Sequence, residues 1–152
     1  FTVNGTMTIT GTQSYQTTHI DFGLTSVSSK PVYFQSVSTI NKVLIDAGSQ
    51  VSMKIYDKVY FKEMEVARVV DASSSTGNKG DYMETRSNTG LPGAEIKIDK
   101  LVVKPGAALT IWYPGATVTI GGQCKKPKRL GSTKYTFEPG TYTSNPIEGD
   151  PC

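Results

Sequence analysis

Turn signals interrupt this chain so often that no long regular element survives between them. Gly-Thr-Gln at residues 11–13, Lys104-Pro105-Gly106, Tyr113-Pro114-Gly115 and Pro139-Gly140 each separate runs rich in Val, Ile, Thr and Tyr. Proline pre-sets φ and glycine accepts positive φ, so such groups are turns. The runs between them alternate apolar with polar residues, the pattern of a strand with one buried face. A turn every 8 to 14 residues or so leaves about ten short strands. The expectation is an all-β fold, an antiparallel β-sandwich or Greek-key barrel.

Residues 2–10 and 14–22 read as paired strands, followed by 31–39 and 42–45. Pro31 suits a strand start and not its interior. Residues 49–57 and 59–70 form the longest stretch free of glycine and proline. Val51, Met53, Ile55, Val59 and Phe61 keep one period-two phase, whereas Met64, Val66 and Val70 keep the opposite one. An inserted residue near Lys62 and Glu63, a β-bulge, would produce that change. A helix over 63–70 is the alternative reading. Residues 71–80 and 87–93 have loop composition, with a short strand between them that carries Tyr82 and Arg86. Residues 94–122 read as a three-stranded meander, and 133–143 as a final strand pair. No repeat of fixed period points to a solenoid or propeller.

The 152 residues suit one domain. A net charge of +3 is mild beside the dense basic surface of a nucleic-acid binder, so no nucleic-acid partner is expected. No apolar run approaches the ~20 residues of a membrane helix, and no membrane insertion is expected. The opening at Phe1 in strand-like sequence fits a processed, exported chain. Two cysteines, Cys124 and Cys152, read as a disulfide that fastens the tail, formed in passage through an oxidising compartment to a secreted or cell-surface location.

Little in the chain suggests chemistry. His19 is the single histidine and stands in an alternating strand, which leaves no multi-histidine zinc site and a poor basis for a nucleophilic triad. Glu63, Glu65 and Asp71 interleave with basic residues as on a solvated face. No cofactor motif occurs. Asp71, Asp81 and Asp99 have oxygens of the type calcium takes, at spacings that do not mark a site. No metal, no cofactor and no enzymatic activity are therefore expected.

Binding has better candidates. If Leu109 and Ile111 face the core, Trp112 faces outward beside Tyr113, and an outward indole near a turn is a platform for the CH face of a sugar. The alternative is a tryptophan packed under a neighbouring loop. Lys125, Lys126, Lys128 and Arg129, on a loop stiffened by Pro127, serve either as a solvated guard on a sheet edge or, with Tyr82 and Arg86 in the same surface set, as a site for an anionic group.

Residues 138–143, Glu-Pro-Gly-Thr-Tyr-Thr, together with the start at Phe1, resemble the receptor-binding, lectin-like domains of bacterial chaperone-usher fimbrial tip adhesins. The motif looks like the turn into the last strand of fimbrial subunits. The resemblance implies a β-sandwich that recognises a glycan or protein receptor on a surface and is joined to a pilin domain or fimbrial subunits. It covers about a tenth of the chain. This chain departs from the fimbrial pattern in its late cysteine pair and its ending. The expected function is a non-catalytic extracellular binding domain, a fimbrial or surface adhesin module. The alternatives are a structural subunit of a surface polymer or virion and a small secreted hydrolase that works through carboxylates.

Overall fold

A computed structural model describes residues 2–11, 18–22, 37–47, 51–55, 57–67, 81–85, 94–113, 116–126, 134–144 and 147–152. Thirteen strands occur among them: β1 (Thr2–Gly11), β2 (Thr18–Phe22), β3 (Val37–Ala47), β4 (Val51–Ile55), β5 (Lys58–Val66), β6 (Asp81–Thr85), β7 (Glu95–Val103), β8 (Leu109–Trp112), β9 (Thr117–Ile120), β10 (Gln123–Lys126), β11 (Lys134–Phe137), β12 (Gly140–Tyr142) and β13 (Asp150–Pro151). The described chain is all-β, and residues 63–66 are strand, not helix.

The strands do not pair in the expected antiparallel way. From β1 to β9 successive strands alternate between two sheets, β1-β3-β5-β7-β9-β10-β13, with β12 beside β7, and β11-β8-β6-β4-β2, and every ladder among these nine strands is parallel. A chain that visits each sheet in turn and always lands beside its last visit in the same direction is a coil, a β-solenoid. The meander expected over 94–122 is corrected accordingly: β7 and β9 are parallel neighbours, and β8 lies in the other sheet. Lys104-Pro105-Gly106 is a corner between sheets and not a hairpin turn, since β7 and β8 lie in different sheets. There Ala107 N–H donates to Lys104 O at 3.0 Å, and Gly106 holds a φ of 84°. Likewise β11 and β12, on either side of Pro139, pair with β8 and β7 in separate sheets.

The coil has no fixed period. Val37 pairs with Lys58, Lys58 with Glu95 and Glu95 with Thr117, intervals of 21, 37 and 22 residues. The long interval includes residues 68–80 and 86–93, which lie outside the described residues. The absence of a repeat in the sequence therefore does not exclude a solenoid.

The phase change in β5 is present, but it is not a ladder bulge. In β3, β5 and β7 two consecutive residues face away from the core, Asn41 and Lys42, Lys62 and Glu63, Asp99 and Lys100. The one-to-one register continues across this step, because all three strands make it at the same level. A bulge does interrupt β1, between Val3 and Thr6.

Inward side chains of both sheets form one core. Ile40, Val43, Phe61, Met64, Ile98 and Leu101 come from one sheet, and Met53, Ile55, Leu109 and Ile111 from the other. At the far end the coil is closed by antiparallel strands: β10 on β9, β12 on the second half of β7 and β11 on β8. Phe137 and Ile147 enter the core from this cap. The Cys124–Cys152 disulfide joins β10 to the tail after β13, with Cα atoms 5.7 Å apart. Its presence is consistent with an oxidising compartment. Among the described residues no helix is long and apolar enough to cross a membrane.

Candidate functional site

The site is built on the outer face of the sheet that contains β8. Leu109 and Ile111 are fully buried, so alternation turns Thr110 and Trp112 outward, where both are half-buried. Antiparallel β11 then places Thr136 opposite Thr110 and Lys134 opposite Trp112. The two threonine hydroxyls are 3.1 Å apart and share a hydrogen bond. The Lys134 ammonium lies 6.0 Å from the centre of the Trp112 ring, at the outer reach of a cation–π contact.

The backbone register continues along the coil from β8. Tyr82 is aligned with Thr110, Ser52 with Tyr82 and His19 with Ser52, while Glu84 is aligned with Trp112, Lys54 with Glu84 and Asp21 with Lys54. Neighbouring strands are roughly 4.8 Å apart. The ladder thus brings Tyr82 and Trp112, some thirty residues apart in sequence, onto adjacent strands two register positions from one another.

Tyr113 is placed differently from its neighbour. Its ring is fully buried, and its hydroxyl donates to the Glu148 carbonyl at 2.7 Å. Burial, which withholds solvent from the phenolate, pushes its pKa up to about 12, with smaller contributions from the Glu148 carboxylate and Tyr135. Tyr113 therefore ties the cap to the last turn and is not part of a surface platform.

Lys125 and Lys126 are in strand β10 and not in a loop. Lys125 is aligned with Val118 and Pro151, and Lys126 with Asp150. Lys125 is half-buried and Lys126 exposed. Lys128, Arg129 and Arg86 lie outside the described residues. These basic positions are thus not gathered around Trp112 by anything described, whereas Lys134, which the sequence reading passed over, is. Its signal was available in the alternation of residues 134–137, which places Lys134 and Thr136 on one face and Phe137 on the other.

Two further polar groups occur on the coil. On β5 and β7, Tyr60 donates its hydroxyl to Asp99, and the Lys97 ammonium sits 4.7 Å over the Tyr60 ring. The hydrogen bond to Asp99, more than burial, raises the Tyr60 pKa above its usual value. On the next surface, Lys42 lies 3.3 Å from both Glu63 and Glu65, and Lys104 lies 3.8 Å from Glu65. The hydrogen bonds to Glu63 and then Glu65 raise the pKa of Lys42. The carboxylates of Glu63, Glu65 and Asp99 are thus engaged with groups of the coil itself. Among the described residues no three His, Cys, Asp or Glu side chains converge as a metal site.

No protein-family model, no curated protein and no solved structure matches this chain.

Proposed function

We propose that this chain is a non-catalytic extracellular binding module, of the adhesin type, that recognises a glycan on the outer face of the β8 and β11 strands. One observation carries the reading: Trp112 is held outward by the buried Leu109 and Ile111, beside the Thr110–Thr136 hydroxyl pair and the Lys134 ammonium. A flat apolar ring accepts a sugar CH face, and hydroxyls and an ammonium beside it supply polar contacts to ring substituents. The reading rests on this face and not on the fimbrial resemblance, whose implied sandwich differs from the parallel coil. Attachment to a pilin domain and a fimbrial location remain part of the proposal only through that resemblance.

The hydrolase reading is weaker, because Glu63 and Glu65 are committed to Lys42 and Lys104. A head-to-tail surface polymer is disfavoured because the outermost strand at the capped end, β13, has only two residues, one of them Pro151, and gives a second copy little edge to extend. The test is binding of the oxidised chain to a broad panel of immobilised glycans at low and high salt. Saturable binding to a defined sugar class is expected. If Lys134 contributes through its charge, Lys134→Ala weakens binding more at low salt than at high salt, where screening already suppresses the charge. No binding to any glycan would move the reading to a protein receptor.

A further inference from the structure

The two ends of the coil treat their strand edges in opposite ways. The capped end carries Lys125 and Lys126 on β10, Lys134 on β11, Pro139 immediately before β12, and Asp150 with Pro151 as β13. Charged side chains and proline are the usual means of keeping an edge from pairing with another chain. At the other end, β1 spans ten residues and among the described residues pairs with β3 alone. It contains no charged residue and no proline, and its bulge between Val3 and Thr6 leaves the run from Thr6 to Gly11 in regular register. Its share of the core is also unfinished: Val3 and Met7 are partly buried, whereas Ile40 and Val43, their partners on β3, are fully buried.

We propose that the edge of β1 that no described strand covers pairs antiparallel with β1 of a second copy, joining two coils through these ends about a twofold axis. Three features select a second copy. The outermost strand of the same sheet at the capped end, β13, has only two residues, one of them Pro151, an edge too short for the ten residues of β1 to extend, so the head-to-tail stacking that would build fibres is disfavoured. A twofold axis sets a strand against itself, and a strand without charges brings no like charges together. The exposed Thr2, Thr6 and Thr8 lie on one strand, and threonine opposite threonine is a favourable cross-strand pair. The pairing also covers Val3 and Met7 and so completes the core at that end.

Sedimentation equilibrium of the wild-type chain and of Thr6→Lys/Thr8→Lys across a wide concentration range tests the proposal. The wild type is expected to be a dimer. The lysines, set against one another across the twofold axis, are expected to weaken association by at least about tenfold. Thr6 and Thr8 are exposed, so the monomer fold is retained, and a cooperative melt verifies it. Should the double variant lose that melt, Thr8→Lys alone carries the comparison, together with slow amide exchange in β1 of the wild type. A wild-type monomer throughout overturns the proposal, and so does a dimer indifferent to the lysines, which would place the contact elsewhere.

Discussion

At Gly121 the cap lies directly against the backbone of the coil. Its N–H donates to Ile98 O at 2.9 Å, its φ is 56°, and a Cβ there would overlap the Thr143 carbonyl and the backbone nitrogen of Ser144. Gly121→Ala adds left-handed backbone strain to an overlap with backbone that has no side-chain freedom to yield. A loss of about 2 kcal/mol or more is expected in chemical denaturation. Tyr113 makes the second anchor, and its pKa of about 12 against an ordinary 10.0 fixes the sign of its pH dependence. The folded state holds the proton more tightly than the unfolded one. The stabilisation is therefore fully present below pH 10 and is lost as the pH rises from there through 12. Tyr113→Phe removes the hydrogen bond to Glu148 O and is expected to cost about 1 kcal/mol near neutrality. Melting followed along an alkaline pH series is expected to show a shallower decline for Tyr113→Phe than for the wild type. Parallel curves would assign the alkaline sensitivity to other tyrosines.

At the scale of elements, the strands were readable and their partners were not. Alternation in residues 51–55, 95–98 and 109–113 states which side chains go inward, and Val51, Met53, Ile96, Ile98, Leu109 and Ile111 do so. The same alternation serves a parallel or an antiparallel neighbour, and Pro-Gly serves a corner as well as a hairpin, so local chemistry left the topology undecided. The opposite phase of Met64 and Val66 was visible, but its meaning depended on Ile40 and Val43, and on Ile98 and Leu101, making the same step on either side. Only the aligned strands reveal a shared kink. Phe61 lies beside that step, fully buried between Ile40 and Ile98. Phe61→Ala is expected to cost 3 to 5 kcal/mol or thereabouts, roughly the usual loss for a buried aromatic. A change under about 1 kcal/mol in urea denaturation would mean that the stacked core is not as packed as described.

For the whole molecule, the disulfide was read from cysteine count and position alone, and it joins β10 to the chain end as a clasp on the cap. Its removal in Cys124→Ser/Cys152→Ser is expected to cost about 3.5 kcal/mol by loop entropy. Amide exchange should rise first in β10 and β13 and last in β5 and β7, which lie inside the parallel stack. Uniform acceleration would show that the cap and coil unfold as one unit. The solenoid itself could not be read from a period, because the intervals of 21, 37 and 22 residues hide it. The candidate site was partly readable. Trp112 followed from alternation, but Lys134 and Thr136 reach it through an antiparallel return that no local signal announces. The central claim is that this face binds a glycan through Trp112. The most direct measurement sets wild type and Trp112→Ala side by side on one panel of immobilised glycans, with melting of both as a control. The half-exposed ring should leave stability within about 1 kcal/mol. The prediction is saturable binding of the wild type to a defined sugar class and loss of that binding in an equally stable Trp112→Ala. Equal binding by both proteins, or binding by neither, would contradict it.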